Sequence, residues 1–271
     1  MRRFYGAAYT DAGTVKTVNQ DSLTMKIADT DSGETVFAVM CDGMGGLEQG
    51  ELASATVVRA YEEWYERKFM DLSGLQMPQE QFTDALTRDW ESIVQDCNVR
   101  IRDFGRKNGV NLGTTLTVFL AWQNDFYVMH VGDCRIYEFT AGGTRQITRD
   151  QTYVAREVEL GHMTAMQAKN DTRRNVLLQC IGVNEIVRPD YLKGRMEEDA
   201  AYLICSDGFW HVPPTEVLYR TCYKDMQMLE WSEDTADSNS TCMRKVLDGL
   251  ASRSKQSGER DNLSAILIQA K

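Results

Sequence analysis

Short apolar runs separated by polar turns occupy much of the chain, and they predict strands. Near the start, FYGAAYTD, DSLTMKIA and TVFAVMC each combine β-branched or aromatic residues with small polar ones. Further along, TLTVFLAW, DFYVMHVG, CRIYEFT and RQITRD follow one another closely, with QND and AGG at the joints, and predict an antiparallel meander. YLICSDG and NLSAILIQA indicate two more buried strands. The chain is therefore predicted to be rich in antiparallel strands.

Helical spacing of apolar residues appears in two long segments between the early strands and the meander. Residues 53–64 and residues 82–104 both repeat apolar side chains every three or four positions, and MDLSGLQMPQE between them reads as a connection. A further helix is predicted around residues 243–252, before the last strand. Runs of strands and pairs of helices, without strict alternation, predict an α+β fold in which helices cover antiparallel sheets.

Composition and charge exclude several classes of protein. The net charge is −10 and the basic residues are scattered, which argues against a nucleic-acid or anionic-membrane surface. Neither a signal peptide nor a stretch approaching a membrane span is visible. The 7 cysteines form no CxxC pair and several lie in apolar runs, so we expect free thiols, no zinc site and a cytosolic protein.

Five aspartates lie at the ends of predicted strands. Asp42, Asp133 and Asp207 follow apolar strands, whereas Asp21 and Asp261 precede them. Any one of them has the simpler interpretation of a turn residue or helix cap. If the strand ends converge, however, the carboxylates would repel one another unless cations lie between them. A ligand set of oxygen atoms alone selects hard ions such as Mg²⁺ or Mn²⁺.

The chain resembles the metal-dependent protein phosphatase 2C (PPM) family, most closely its bacterial serine/threonine phosphatase branch. The resemblance rests on seven motifs in the family's order, which extend over residues 9–269: GTVKTVNQD, VFAVMCDGMGG, GTTLTV, VGDCRIY, TRDQT, LICSDGFW and RDNLSAILI. It implies one domain over residues 1–271, folded as a four-layer αββα sandwich of two antiparallel sheets flanked by helix pairs. The polar segment at about residues 151–175 resembles the family's flap beside the metal cleft.

The resemblance implies two core metal ions, Mg²⁺ or Mn²⁺, and matching motif positions indicates which residues would bind them. Asp42 would bridge the two ions, and the carbonyl of Gly43 would ligate one of them. Asp207 and Asp261 would hold the other ion, directly or through water, so that Asp42, Asp207 and Asp261 form the catalytic set. Asp21 would hold metal-bound water. A hydroxide that bridges the two ions would then attack phosphorus in line, without a covalent enzyme intermediate.

A possible third metal and the substrate phosphate involve further residues. Asp133 resembles the acid that holds a weaker third ion together with the aspartate of SDG. Lys16 stands where many members carry arginine, so it is the candidate for binding the phosphate, although a solvated surface lysine is the alternative. Met44 replaces the histidine that animal members use as a proposed acid, which leaves metal-bound water as the alternative proton donor.

Other polar residues are interpreted more simply. His130 alternates with apolar residues, which is typical of a core histidine, and His211 is expected to cap the loop that follows it. Arg173 and Arg174 in the flap are candidate contacts for a phosphoprotein, with a solvated face as the equal alternative. The acidic stretch EWSEDTAD is expected to be a solvated, poorly ordered insertion loop.

These observations predict a metal-dependent phosphatase that hydrolyses phosphoserine and phosphothreonine in proteins. Its expected partners are phosphoprotein substrates and an opposing serine/threonine kinase, and it is expected to be a cytoplasmic monomer without nucleic-acid or membrane partners. Two alternatives remain open. One is an inactive scaffold of the same fold that binds phosphoproteins, and the other is a hydrolase of small phosphoesters.

Overall fold

The structure, a computed structural model, describes residues 2–45, 49–75, 77–232 and 234–271. The strands in these residues form two antiparallel sheets. Three positions named in the sequence analysis lie outside the described residues: the last glycine of CDGMGG (Gly46), Gln76 in the connection between the predicted helices, and Glu233 in the acidic stretch.

The first sheet contains six strands in the order β2-β3-β5-β6-β9, with β4 beside the end of β3. Its strands are β2 (Asp21–Thr30), β3 (Gly33–Gly45), β4 (Leu112–Thr114), β5 (Leu116–Trp122), β6 (Asp125–Val131) and β9 (Asp190–Arg195). The second sheet contains five strands in the order β1-β11-β10-β7-β8. They are β1 (Phe4–Asp11), β7 (Arg135–Thr140), β8 (Gly143–Gln146), β10 (Ala201–Cys205) and β11 (Leu263–Ala270).

The three longest helices cover the outer faces of the two sheets. The longest are α1 (Gly50–Trp64), α3 (Gln79–Asn108) and α8 (Ala236–Gln256). The shorter ones are α2 (Met70–Gly74), α4 (Tyr153–Glu159), α5 (Ala165–Asn170), α6 (Asp207–Trp210) and α7 (Thr215–Tyr219), with π-helical turns at Tyr65–Phe69 and Arg220–Lys224 and a 3₁₀ turn at Asp225–Met228. A membrane-crossing helix needs about 20 apolar residues, and no helix in the described ranges meets that requirement.

Three apolar cores hold these layers together. One lies between the six-stranded sheet and α1 with α3, where Tyr61, Phe82 and Trp90 are buried. A second lies between the two sheets and contains Phe119 and Tyr202, and a third packs α8 and the segment after α6 on the five-stranded sheet. Each fully buried large apolar side chain stabilises the fold by about 1.5–3 kcal/mol. The predicted four-layer sandwich is thereby confirmed.

The predicted meander is wrong in one respect: its four strands do not belong to one sheet. Strands β5 and β6 pair in the first sheet, whereas β7 and β8 pair in the second. The chain changes sheets at Gly132, whose φ of +108° is open mainly to glycine. A Cβ atom there would also lie 2.5 Å from Cγ2 of Thr115. The crossing delivers the next residue, Asp133, to the common end of both sheets.

The described residues of the acidic stretch are more ordered than expected. Trp231 packs edge-on against Tyr5 at a centroid distance of 4.9 Å, and its indole N–H donates to the Met226 carbonyl. Asn239 donates to the Glu230 carbonyl at 2.7 Å, and α8 already begins at Ala236. An aromatic residue within the acidic run therefore anchors the start of α8 on the second sheet.

Candidate active site

Two of the five aspartates come from neighbouring strands of the first sheet. Asp21 is the first residue of β2 and Asp42 lies near the end of β3, and their Cα atoms are directly paired in the antiparallel register. Residues paired in this way have Cα atoms about 4.5–5.5 Å apart. The sheet register alone therefore brings together two carboxylates that are 21 positions apart in sequence.

The other three aspartates reach the same place from the second sheet and its connections. Asp133 follows the crossing from β6, Asp207 opens α6 directly after β10, and Asp261 lies two residues before β11. Asp21, Asp133 and Asp207 are buried, with exposed fractions of 7%, 7% and 6%. Ser206, next to Asp207, contacts the Asp21 carboxylate, and a Cβ atom on Gly208 would lie 3.2 Å from Cβ of Asp261, so Asp21, Asp207 and Asp261 lie close together.

Hydrogen bonds fasten the two sheets to each other at this end. The Ser206 hydroxyl donates to Oδ2 of Asp21 at 3.0 Å, across 185 positions of sequence. Asn262 accepts from the Gln20 backbone N–H at 3.0 Å and donates to the carbonyls of Ala12 and Val18. Asn262 thus fixes the loop that leads into Asp21 against the start of β11.

Gly43 is required by the close approach of three backbone segments. Its N–H donates to the Gln20 carbonyl at 3.1 Å. A Cβ atom on this residue would lie 2.3 Å from the Gly50 carbonyl oxygen and 2.5 Å from that of Gln20. Any side chain would therefore separate the ends of β2 and β3 from the start of α1. The proposed role of the Gly43 carbonyl as a metal ligand remains a prediction.

Burial and the neighbouring carboxylates make ionisation of Asp21, Asp42 and Asp133 costly. Burial, followed by the charges of Asp207 and Asp261, raises the pKa of Asp21 to about 7. The pKa of Asp42 is raised well above its ordinary value by burial and then by the other four aspartates. Burial, with Asp207 as the main neighbouring charge, also raises the pKa of Asp133. A cluster of acids that resist ionisation is a site that a cation would stabilise.

The donor set fits hard divalent cations. Within the described part of the chain, Oδ1 of Asp21 and Oδ1 of Asp207 are buried without a hydrogen-bond partner. Buried polar atoms of this kind are normally satisfied, so each marks a place for a ligand. As they stand, no three acidic, histidine or cysteine side chains in the described ranges are gathered closely enough to enclose an ion.

Lys16 lies beside this cluster. Its Nζ is 3.3 Å from Oδ1 of Asp261, and both side chains are partly exposed. The ammonium group can therefore reach a phosphate that approaches the carboxylates from solvent. This position is compatible with the proposed contact to substrate.

His130 is a satisfied core histidine, as the sequence analysis expected. It is fully buried, and its Nε2 lies 3.0 Å from the Gly132 carbonyl and 3.1 Å from that of Arg149. Because both neighbours are acceptors, Nε2 carries the proton and Nδ1 accepts from the Thr117 hydroxyl at 2.9 Å. Burial lowers the pKa of this imidazole. His130 therefore supports the turn before Asp133.

Several residues around the cluster were missed by the sequence reasoning. Arg135 forms a two-pronged ion pair with Asp150 and stacks on the Trp210 ring at 3.2 Å, while the Trp210 indole donates to the Asp133 carbonyl. Glu259 accepts from the Asp261 backbone N–H and lies 3.8 Å from His211. All of these lie within or beside motifs quoted above, but their partners are distant in sequence and carry no local signal.

The flap starts beside the turn that precedes Asp133, where the Gln151 N–H donates to the Gly132 carbonyl at 2.7 Å. An isolated bridge pairs Thr152 with Leu177 at its base, and α4 and α5 form its body. Arg173 pairs with Asp171 at 2.8 Å and stacks on the Tyr153 ring, so its guanidinium is used within the flap. Arg174 is exposed and keeps the predicted role of a candidate substrate contact.

Two antiparallel sheets, covered by helices on their outer faces, bring carboxylates together at one end. The sequence profile described as Protein phosphatase 2C matches residues 11–267. The chain therefore belongs to the protein phosphatase 2C family, a family of metal-dependent enzymes.

Individual relatives agree with this assignment. The chain is 26% identical over 267 residues to the serine/threonine phosphatase stp of Listeria monocytogenes, covering 96% of this chain and 93% of the relative. It is 27% identical over 201 residues to the protein phosphatase PhpP of Streptococcus pneumoniae, covering 73% and 76%. The catalytic domain of the phosphatase PstP, solved with two manganese ions, superposes with a TM-score of 0.75 at 24% identity, covering 100% and 99%.

Proposed function

We propose that the protein is a serine/threonine phosphatase that hydrolyses phosphoserine and phosphothreonine in proteins, with two divalent cations at the five-aspartate cluster. The observation that carries the proposal is the convergence of Asp21, Asp42, Asp133, Asp207 and Asp261 from both sheets, in a chain of this family. The names of the relatives, serine/threonine phosphatase and protein phosphatase, support the substrate class. They also weigh against the inactive scaffold and the hydrolase of small phosphoesters.

The aspartates divide the work of holding the cations. Asp42, the Gly43 carbonyl, Asp207 and Asp261 would hold the two ions. Asp21, oriented by the Ser206 hydroxyl, would hold coordinated water. Bound divalent ions, Mn²⁺ or Mg²⁺, would supply an activated water for attack on phosphorus and would neutralise charge on the phosphoryl oxygens. Asp133, beside Asp207, is proposed for a third ion.

The remaining steps belong to the chain's own residues. Lys16 would release Asp261 and bind a nonbridging phosphate oxygen, where its charge stabilises the transition state. A lysine supplies charge without the two-pronged geometry of arginine. Met44 has no proton to give, so we propose that water protonates the serine or threonine alkoxide as it leaves.

We further propose that residues 1–271 act as one domain, with the flap at about residues 151–175 beside the cleft. The protein would work as a cytoplasmic monomer and oppose a serine/threonine kinase. All 7 cysteines are free thiols, and 6 of them are buried. Free thiols in this number support a reducing compartment.

Hydrolysis of a phosphothreonine peptide and of p-nitrophenyl phosphate, with manganese and with EDTA, tests the proposal. We expect manganese-dependent hydrolysis of both, and loss of turnover in Asp42→Asn. Asp31→Asn makes the same chemical change at an exposed turn between β2 and β3 and serves as the control. Failure of the unmodified protein to hydrolyse either substrate in manganese would contradict the proposed function.

A further inference from the structure

An open groove with a volume of about 680 Å³ lies at the C-terminal part of α3, away from the aspartate cluster. Its size falls within the range of about 300–1,000 Å³ that is typical of ligand sites. Its walls come from α3, from the chain that leads into β4, and from the residues that follow the flap. The lining includes Val99, Arg102, Asp103, Arg106, Leu112 and Val183.

The groove is joined to the cluster by the short strand pair β3 and β4. Gly43, Met44 and Gly45 pair with Thr114, Gly113 and Leu112 in turn, so Leu112 in the groove is three residue pairs beyond Asp42. At about 3.4 Å per residue, the groove begins about 10 Å from Asp42. The bridge between Thr114 and Ile181 also places the residues that follow the flap at this boundary.

Local charge distinguishes the groove from the rest of this acidic protein. The charged side chains that line the groove are Arg102, Arg106 and Asp103, a net charge of +1, whereas the whole chain carries −10. Arg106 is paired with Asp103 at 2.5 Å. Arg102 is exposed and donates only to the Glu185 carbonyl, at 3.3 Å, and no carboxylate of the described residues forms an ion pair with it.

The macrodipole of α3 does not account for Arg102. Cations are favoured in the last helical turn, which explains Arg106 and Lys107, but the effect fades beyond that turn. Arg102 lies six residues before the end of α3. Beside it, Val99 and Val183 are 54% and 58% exposed and give the groove an apolar wall. Such a surface is complementary to a peptide with acidic and apolar side chains.

We propose that this groove binds the polypeptide that flanks the phosphorylated residue of the substrate, and that it favours an acidic side chain there. Since an extended chain advances about 3.3 Å per residue, the favoured position lies about three to four residues from the phosphorylated one. This inference rests on the proposed function and adds the sequence preference of the substrate to it.

The test compares phosphopeptides that differ only at the third and fourth positions on either side of phosphothreonine, where they carry glutamate or lysine. With the full chain in manganese, we expect a higher kcat/KM for the glutamate peptide than for the lysine peptide when the substitution lies on one particular side of phosphothreonine. Arg102→Glu should lower the ratio of the glutamate to the lysine peptide about five- to tenfold, mainly through KM. Arg106→Glu should act in the same direction. Arg100→Glu, two residues away on the opposite face of α3, is the matched control and should leave the ratio unchanged.

Two outcomes would overturn the groove proposal but not the proposed function. One is equal kcat/KM for all peptides, and the other is the same change in the glutamate-to-lysine ratio of kcat/KM in Arg100→Glu as in Arg102→Glu. The second would show that the net charge of the protein, and no specific site, sets the preference. A lack of hydrolysis of p-nitrophenyl phosphate by the unmodified protein in manganese would instead overturn the proposed function, and the groove proposal with it.

Discussion

Asp21→Asn should stabilise the metal-free protein, although it removes a proposed functional group. Burial and the neighbouring carboxylates raise the pKa of Asp21 from 3.8 to about 7. The folded state of this acid therefore binds its proton more tightly than the unfolded state. Folding stability falls as pH rises from about 4 through about 7, and the cost is complete above that range.

The size of the effect follows from the pKa difference. A shift of about 3 pKa units corresponds to about 4 kcal/mol at pH values above 7, since one unit is worth about 1.4 kcal/mol. The asparagine cannot ionise, and it loses about 1 kcal/mol from the weaker hydrogen bond with Ser206. The net gain should be about 3 kcal/mol near pH 8. Near pH 5.5 it should fall to about 1 kcal/mol, because Asp21 is then protonated in the folded state.

Thermal unfolding in EDTA measures this gain. A net gain of about 3 kcal/mol should raise Tm by roughly 6–12 °C near pH 8, and the gain should shrink near pH 5.5. Exposed Asp31→Asn is the control and should change Tm little at either pH. With manganese, the order should reverse, since the unmodified cluster binds cations more tightly. If Asp21→Asn were as stable as the unmodified protein in EDTA near pH 8, the reasoning from carboxylate repulsion would be refuted.

Three further predictions concern individual residues. Asp207→Asn should abolish turnover of p-nitrophenyl phosphate while the far-ultraviolet circular dichroism of the fold is retained; unchanged turnover would show that the assignment is wrong. Lys16→Arg should lower KM for a phosphopeptide because arginine forms two parallel hydrogen bonds with phosphate, whereas unchanged kinetics would favour a surface role. Asn262→Ala should lower the free energy of unfolding, measured in urea, by about 2–4 kcal/mol. The Gln20 N–H and the carbonyls of Ala12 and Val18 would each lose a hydrogen-bond partner. A loss below about 0.5 kcal/mol would contradict its role in joining the loop to β11.

The features that were predictable from the sequence are those with a local pattern. Apolar runs that end in Asp-Gly placed Asp42 and Asp207 at strand ends, and motif order gave the family and the layered fold. The alternation around His130 correctly indicated a core histidine. Each of these signals lies within a few consecutive residues or in the order of motifs along the chain, so it can be recognised without the structure.

What the sequence did not predict depends on long-range pairing. The division of the meander between two sheets follows from the turn at Gly132 and from the partners of β7, which are strands β8 and β10. The bond from Ser206 to Asp21 joins residues 185 positions apart. The stack of Arg135 on Trp210 likewise forms only once both sheets are in place. Periodicity carries no information about such partners.

Calorimetric titration of the metal-free chain with manganese tests the central claim most directly, namely that five aspartates from two sheets form one cation site. We expect uptake of at least two ions per chain, and weaker, reduced uptake in Asp42→Asn, with Asp31→Asn unchanged. The absence of manganese binding, or equal binding by the Asp42→Asn variant, would contradict the account.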